Sequence, residues 1–224
     1  MRLLDVATGP GALALAAARA GAIVTAIDFS QAMIDRLSKR IGNLPITAAA
    51  MDGQALDLPD AHFDRACCVF GIPLFPDWRA GLRELARVLR PGGRAVVAVA
   101  DNPHGFGPNQ FLARARARLF PAAPTPVDAI AMDLLSDREQ LIEAFSTAGF
   151  EHVAIHERTH DFILDGALFV PDHPMILASP VLAGLSDDDR ARVIAEAIDE
   201  ARHHSSSAAL LLPSTARFIV GTKP

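Results

Sequence analysis

Basic residues are in the minority in this 224-residue chain, which has 21 lysines and arginines, 26 aspartates and glutamates, and a formal net charge of -5. Proteins that bind a nucleic-acid backbone normally carry a basic excess, because every phosphate is negatively charged. The composition therefore argues against a nucleic-acid partner.

Long apolar runs are also absent, although 50% of the residues are hydrophobic. Charges such as Arg19, Asp35 and Arg36 interrupt the apolar stretches before they reach the roughly 18 residues that span a bilayer. No secretory signal is apparent, since Met1-Arg2 leads directly into an apolar strand and a glycine turn. We expect a soluble, cytoplasmic protein that does not insert into a membrane.

Cysteine is scarce, with Cys67 and Cys68 as the only two. Neighbouring residues on a strand point to opposite faces, which is too constrained for an ordinary disulfide, and two thiols are too few for a metal cage. We expect buried, reduced thiols. His156 and His160 begin on a predicted strand, where their spacing does not form the helical pair that binds zinc, so no metal is predicted.

A regular alternation of apolar strands and amphipathic helices fills the first hundred residues. After a strand that ends at the glycine turn, Ser30 is predicted to cap the second helix. Further strands are predicted at 23–27, 46–50, 63–70 and 94–100, and helices at 12–20, 31–40 and 76–89. Near-continuous apolar strands between helices indicate a parallel sheet covered on both faces. The predicted fold class is α/β, doubly wound.

The pattern loosens beyond residue 100, where prolines and glycines interrupt it. Ser136 is predicted to cap a helix, and the later elements are helices at 110–120, 137–148 and 187–204 and strands at 150–157 and 216–221. We predict a single domain, 1–224, with cap or substrate-recognition insertions at about 101–135 and 159–212. The apolar residues of these insertions either line a pocket or pack on one another as an ordinary cap. They are Phe106, Phe111, Leu119, Phe120, Phe162, Leu164, Leu168, Phe169, Met175 and Leu177.

The turn after the first strand is the first feature that indicates a ligand. Asp5 is followed by Gly9-Pro10-Gly11, a pattern that brings backbone close to a ligand and directs helix N–H groups at an anion. With Ala14 it also fits the dinucleotide-binding pattern. Asp28, at the end of the second strand, would hold a ribose diol in either a nicotinamide enzyme or an adenosyl-ligand enzyme.

A third acid favours the adenosyl ligand. Asp52 lies just past the third strand in Met51-Asp52-Gly53, where a carboxylate is placed to accept a hydrogen bond from an adenine amino group. Ligand-facing positions at the ends of three successive strands then converge on one adenosine.

With these features the chain resembles the class I S-adenosylmethionine-dependent methyltransferases of the ubiquinone/menaquinone-biosynthesis group. The ordered matches are Leu-Asp-Val-Ala-Thr-Gly-Pro-Gly at 4–11, Asp-Phe-Ser-Gln-Ala-Met at 28–33, Asp-Gly at 52–53, Leu-Pro at 58–59, Phe-Asp at 63–64, Val-Phe-Gly at 69–71, Phe-Pro-Asp at 75–77, Arg-Val-Leu-Arg-Pro-Gly-Gly at 87–93, Ala-Gly-Phe at 148–150 and Val-Gly-Thr-Lys-Pro at 220–224. The resemblance implies a seven-stranded Rossmann-like sheet in the order 3-2-1-4-5-7-6, with the last strand antiparallel.

The resemblance also assigns roles in cofactor binding. It gives the 7–11 turn to the methionine end, Asp28 to the ribose, Phe29 and Met33 to the adenine face, and Asp52 to the adenine amino group. The Phe70 carbonyl is given to the cofactor amino group. The complete predicted set is Asp5, Ala7, Gly9, Gly11, Asp28, Phe29, Met33, Met51, Asp52, Gly53 and Phe70.

The chain departs from the family pattern at two points. Ala7 replaces the first glycine of the usual turn, and few residues precede Leu3 where the family carries a helix that helps to cover the cofactor. The sequence therefore leaves reduced cofactor affinity, or an exchanged segment in a dimer, as expectations. The predicted oligomeric state is a monomer or a homodimer.

The implied reaction is methyl transfer from S-adenosylmethionine to a small, hydrophobic acceptor through an O-, C- or N-nucleophile, which leaves S-adenosylhomocysteine. Because a sulfonium methyl is already electrophilic, orientation carries most of the catalysis and no catalytic residue is assigned. Asp101 and His104 are either bases or ordinary loop residues. The arginines at 114, 116 and 118 are expected to face solvent rather than to bind an acidic substrate.

Two other functions stay open at this point. One is an S-adenosylmethionine-binding protein without turnover, acting as a regulatory or scaffolding partner. The other is a nicotinamide-dependent oxidoreductase, which leaves Asp52 and the later motifs unexplained.

Overall fold

The computed structural model describes residues 1–101, 108–121, 134–165, 170–172, 174–177, 179–204 and 209–224. The strands are β1 Arg2–Val6, β2 Ile23–Asp28, β3 Ile46–Ala50, β4 Phe63–Val69, β5 Leu89–Ala100, β6 Glu151–Asp165 and β7 Ala209–Thr222. The helices are α1 Ala12–Arg19, α2 Gln31–Ile41, α3 Trp78–Val88, α4 Pro108–Leu119, α5 Arg138–Thr147, α6 Pro174–Leu177 and α7 Asp187–His204. Single 3₁₀ turns lie at Ile72–Leu74 and Pro180–Leu182.

The strands form one sheet in the order β3-β2-β1-β4-β5-β7-β6. Strands β1 to β5 pair in parallel, and Asp5 of β1 lies opposite Ala26 of β2 and Cys67 of β4. Strand β7 runs antiparallel to β5. Gly92, near the start of β5, donates its N–H to the carbonyl of Lys223, which directly follows the end of β7, at 2.9 Å. The predicted fold class and strand order are confirmed.

Parallel pairing decides where a site can form. The carboxyl ends of β1, β2, β3 and β4 all meet the same edge of the sheet. The residues that leave these strands are Ala7, Phe29, Met51 and Phe70. Open α/β sheets bind ligands at such an edge.

The chain divides into two compact units. The first unit comprises Met1–Val99, Asp137–His156 and Arg217–Pro224. Part of its core packs α1 and α2 on the sheet, with Leu15, Val24 and Leu37 at most 2% exposed. Burial of such side chains stabilises the fold by roughly 1.5–3 kcal/mol each relative to exposure.

The second unit comprises Ala100–Ser136 and Glu157–Ala216. Its core packs α4 against α7 through the buried residues Phe111, Leu112, Val193, Ala197 and Ile198. Spacings of three and four residues place these side chains on one face of each helix.

The arginines of α4 are half-buried or exposed, and each of them is also bonded within the second unit. Arg114 Nε donates to Glu200 Oε1 at 2.6 Å, and Arg118 Nη2 donates to Glu200 Oε2 at 2.6 Å. Arg116 donates to the carbonyls of Val181 and Ala183. The expectation of solvated side chains did not include these bonds, because their acceptors on α7 and on a neighbouring turn are distant in the sequence.

One of the two predicted helix caps is wrong. Ser30 lies at the N-cap of α2, but its side chain makes no capping hydrogen bond. Asp137 rather than Ser136 caps α5, with its carboxylate accepting from Gln140 N–H at 2.9 Å. A carboxylate is an equally good cap, so the local sequence did not distinguish the two neighbouring residues.

Strands β5, β6 and β7 are longer than predicted. Strand β6 continues to Asp165, although irregular structure was expected from about 160. Its residues from His156 to His160 are exposed and polar, so no apolar run marks them. Strand β6 pairs with β7 at the edge of the sheet, and this backbone pairing extends it.

Several predictions concern positions that the structure does not describe. His104, Phe106, Leu168 and Phe169 lie outside the described residues, as do the side chains of Phe162, Leu164 and Met175. In the described part of the chain, no helix is both long enough and apolar enough to span a membrane. Cys67 and Cys68 are buried free thiols, as expected.

Candidate functional site

The turn after β1 is held in an uncommon backbone conformation. Ala7, Gly9 and Gly11 have φ of 56°, 56° and 89°, in the left-handed region. Thr8 N–H donates to the Ile27 carbonyl at 2.9 Å, which ties the turn to β2. Gly11 is also required sterically, because a Cβ there would lie 2.3 Å from Leu37 Cδ1. The turn is therefore fixed against both β2 and α2.

Asp28 joins the end of β2 to this turn. Its Oδ2 accepts from Gly9 N–H at 2.8 Å, and its Oδ1 accepts from Ser30 N–H at 2.9 Å. The residue is half-buried. Each carboxylate oxygen has a second lone pair, so two acceptor positions remain beside the glycine turn.

Asp5 plays a different part, because it is 1% exposed. Its Oδ2 accepts from Thr8 Oγ1 at 2.6 Å. Burial raises the pKa of Asp5 to about 6, although the Thr8 hydrogen bond acts in the opposite direction, and the Asp28 charge adds to the increase. The Asp5 side chain thus supports the turn from within the protein.

Asp52 follows β3 and is exposed. Its Oδ1 accepts from the backbone N–H of Gln54 at 2.9 Å and from Gln54 Nε2 at 3.0 Å. Met51 N–H donates to the Asp28 carbonyl at 3.0 Å, so the ends of β2 and β3 are bonded to each other. Gly53 is buried, and a Cβ there would lie 2.6 Å from Phe75 Cζ and 2.8 Å from Val6 Cγ1.

Apolar side chains remain uncovered at the same edge. The side chain of Phe29 is 85% exposed and that of Phe70 is 40% exposed. Met33 is half-buried in the first turn of α2. Phe70 has a φ of 60°, which is uncommon for a bulky residue, and its N–H donates to the Ala98 carbonyl at 2.9 Å. Exposed aromatic rings of this kind offer a surface for a planar apolar ligand.

Close packing brings the ends of β1 and β4 together. A Cβ on Gly71 would lie 2.4 Å from Ala7 Cβ and 2.7 Å from Cys68 Sγ. Only a residue without a side chain fits there. The structure thus gathers the turn, Asp28, Met51 and Phe70 along one edge within the first unit.

Sequence reasoning did not assign Gln54 or Phe75 to this site, and of the two proposed bases only Asp101 lies among the described residues. No local pattern marks Gln54, since its third hydrogen bond comes from Asp77, 23 positions away. Asp101 belongs to the second unit, where its N–H donates to the Thr215 carbonyl at 3.1 Å. Among the described residues there is no group of three histidine, cysteine, aspartate or glutamate side chains suited to a metal ion.

The edge offers the kinds of groups that could hold a nucleoside. Asp28 and Asp52 accept hydrogen bonds, the first turn of α1 presents N–H groups, and Phe29 presents a ring.

Known proteins are similar to this chain in sequence. Residues 3–93 match a family model described as a methyltransferase domain. A demethylmenaquinone methyltransferase from Corynebacterium urealyticum is 33% identical over 161 residues, covering 68% of this chain and 68% of that protein. Its counterpart from Corynebacterium kroppenstedtii is 39% identical over 102 residues, which cover 46% of this chain and 43% of that protein. The chain thus matches less than half the length of several curated relatives.

The structural similarity extends over the whole chain. Phosphoethanolamine N-methyltransferase 2 from Haemonchus contortus, in complex with S-adenosyl-L-methionine, superposes with a TM-score of 0.61 at 16% identity, covering 100% of this chain and 49% of that one. At this identity the likeness shows the fold. The Corynebacterium urealyticum relative shows that the chain belongs to the class I S-adenosylmethionine-dependent methyltransferases of the ubiquinone/menaquinone-biosynthesis group.

Proposed function

We propose that this chain binds S-adenosylmethionine at the carboxyl edge of its first unit and transfers the methyl group to a small, hydrophobic acceptor. The observation that carries the proposal is the bond between Asp28 Oδ2 and Gly9 N–H at 2.8 Å. It holds a ribose-binding carboxylate against a turn of the kind that binds the anionic end of such a ligand.

The residues present fit this cofactor. Asp28 supplies acceptors for the two ribose hydroxyls, Asp52 supplies one for the adenine amino group, and Phe29 and Met33 supply an apolar face for the purine. The 7–11 turn and the start of α1 receive the methionine carboxylate, and the Phe70 carbonyl receives the amino group. Asp5, Met51 and Gly53 fix the elements that carry these groups.

The contribution of the chain to the reaction is mainly geometric. The bound cofactor supplies an electrophilic methyl on a sulfonium, which needs no further activation by the protein. The residues of the edge orient that ligand, and rings such as Phe70 provide an apolar surface beside the positive sulfur. Holding an acceptor in line is worth several orders of magnitude in rate. Asp101 remains only a candidate for deprotonating a phenol or hydroxyl.

The acceptor is proposed from the relatives and from the sequence. The curated relatives are named for demethylmenaquinone, a hydrophobic small molecule. We propose that the segments at about 101–135 and 159–212 recognise such an acceptor within a single methyltransferase domain. The net charge of -5 supports the absence of a nucleic-acid partner. The reduced thiols support a cytoplasmic location, and the proposed state is a monomer or a homodimer.

Removal of the Asp28 carboxylate tests cofactor binding. We expect Asp28→Ala to weaken binding of S-adenosylhomocysteine by about 10- to 100-fold in titration calorimetry, because charge-assisted hydrogen bonds contribute roughly 1.5–3 kcal/mol. Asp35→Ala, which removes an exposed carboxylate that bonds to Gln31 on α2, is the control. An unchanged dissociation constant in Asp28→Ala defeats the assignment.

Turnover is tested separately. The wild-type chain is incubated with labelled S-adenosylmethionine and a panel of phenols, quinones, amines and polyketides. Transfer to a hydrophobic member supports the enzyme. Tight binding of S-adenosylhomocysteine without transfer to any acceptor favours the alternative, a cofactor-binding protein without turnover. Binding of NADH in its place would revive the oxidoreductase, which no comparison described above supports.

A further inference from the structure

Gln54 makes contacts that the proposed function leaves unused. Its backbone N–H and its Nε2 both donate to Asp52 Oδ1, at 2.9 and 3.0 Å. Its side-chain oxygen accepts from the backbone N–H of Asp77 at 2.7 Å. One side chain thus connects the carboxylate that follows β3 to the residue that caps α3.

The far end of this connection is firmly placed. Asp77 Oδ1 accepts from Ala80 N–H at 2.9 Å and so caps α3, whose inner face is buried. The loop beyond Gln54 is bonded to the same helix, because Glu84 Oε2 accepts from Leu56 N–H at 2.7 Å. Helix α3 therefore serves as the platform on which the loop carrying Asp52 rests.

The near end fixes one carboxylate oxygen and leaves the other available. The described residues donate two hydrogen bonds to Asp52 Oδ1 and none to Oδ2. The terminal torsion of an exposed aspartate is broad, so an unrestrained carboxylate would sample many orientations. Two donors on Oδ1, one of them from a side chain that is itself anchored on α3, restrict that rotation and hold Oδ2 in one direction.

We propose that Gln54 is a positioning residue that presents Asp52 Oδ2 to the exocyclic amino group of the purine, and that it thereby sets the preference for adenine over purines without that group. The inference rests on the proposed function, because it presupposes that the nucleoside of the cofactor lies beside Asp52. It predicts a specific loss of selectivity rather than a general loss of binding.

The test compares two ligands by titration calorimetry. One is S-adenosylhomocysteine, and the other is its analogue with hydrogen in place of the 6-amino group. We expect the wild-type chain to prefer S-adenosylhomocysteine by about 10- to 100-fold, as a hydrogen bond to a charged group implies. Gln54→Ala should reduce this preference about 3- to 10-fold by weakening S-adenosylhomocysteine while leaving the analogue unchanged. This 3- to 10-fold effect is smaller than the wild-type preference because the hydrogen bonds of Gln54 to Asp52 are exposed, and because the backbone N–H of residue 54 still donates to Asp52 in the variant.

Two further variants keep the test sharp. Gln54→Glu retains the acceptor for Asp77 N–H, and with it the link to α3, but removes the side-chain donor to Asp52. We expect it to reduce the preference for S-adenosylhomocysteine over the analogue at least as much as Gln54→Ala does. Gln140→Ala, at an exposed position of α5, is the matched control and should keep it.

Each outcome has a distinct meaning. If S-adenosylhomocysteine does not bind the wild-type chain, the proposed function fails and the inference fails with it. If the wild-type chain binds both ligands equally, or if the Gln54 variants keep the wild-type preference, the inference alone is overturned. An equal loss of affinity for both ligands indicates a merely structural role for Gln54 and also overturns it.

Discussion

Asp28 and Asp52 in the first unit are held in a different way from Glu200 in the second unit. In the first unit, Asp28 and Asp52 accept from backbone N–H groups of nearby turns, which fixes the direction of each carboxylate. In the second unit, Glu200 accepts from Arg114 and Arg118, two long side chains on the facing helix. Bonds to the backbone hold loops in one shape, whereas bonds between long side chains hold helices together and leave their details adjustable. A precise ligand site is therefore expected in the first unit.

The largest effect should come from paired core truncations that separate stability from binding. Leu37 and Leu112 are both 0% exposed, one in each unit. Each Leu→Ala change should lower the free energy of unfolding by about 2–5 kcal/mol in denaturant titrations. Only Leu37→Ala should also weaken S-adenosylhomocysteine binding, because Leu37 packs against Gly11 of the turn.

The control for this pair is hydrogen exchange, measured where both variants remain folded. Faster exchange should be confined to the unit that carries the change. Equal losses of ligand affinity in Leu37→Ala and Leu112→Ala would contradict the contrast between the units.

A smaller effect, with a defined pH dependence, should follow from Asp5→Asn. The pKa of Asp5 rises from 3.8 to about 6 on folding, chiefly through burial. Between these values the native state binds more protons than the unfolded state, so this group lowers stability as pH rises from about 4 to 6. Asp5→Asn should therefore be more stable than wild type by roughly 2–3 kcal/mol above pH 7, and the difference should disappear near pH 4.

Denaturant titrations of both proteins across pH 4 to 8 measure this effect. The exposed Asp57→Asn is the control. A difference between Asp5→Asn and wild type that is the same at every pH contradicts the prediction, whatever its size.

The smallest effect should come from the second unit. The side chain of Glu200 is 14% exposed. Burial alone would raise the pKa of Glu200, but hydrogen bonds from Arg118 and Arg114 outweigh it and lower that pKa. Because the two arginine side chains are 41% and 49% exposed, we expect Glu200→Gln to lower the free energy of unfolding by only about 1 kcal/mol.

Salt identifies the cause of that loss. The difference between wild type and Glu200→Gln should shrink at 1 M salt, where screening acts over about 3 Å. Glu196→Gln, which removes a single contact at 3.2 Å, should change stability less. An effect of Glu200→Gln that is insensitive to salt would point to packing instead.

The fold of the first unit was predictable because its signals are local. Apolar runs marked β2, β3 and β4, alanine and leucine marked α1, and the glycines at 9 and 11 marked a turn that needs left-handed backbone. The resemblance then supplied the strand order, which local signals do not determine. The predicted cofactor residues were placed on one edge by parallel pairing, and their individual roles stay predictions.

Features that depend on contacts between distant residues were not predictable. The acceptors of Arg116 lie 65 and 67 positions away, so its direction could not be read from the apolar face of α4. Gln54 was missed for the same reason. Strand β6 was cut short because its residues at 156–160 are polar, and only the place of the strand in the sheet accounts for them.

The tight contact between the ends of β1 and β4 has a consequence for anyone who wishes to redesign this protein. A methyl group on Gly71 would collide with both Ala7 Cβ and Cys68 Sγ, at 2.4 and 2.7 Å. Substitutions at positions 7, 68 and 71 therefore have to be chosen together. A library that varies position 71 alone introduces this collision in every variant, whereas one that also admits glycine at 7 and a smaller residue at 68 removes the colliding atoms.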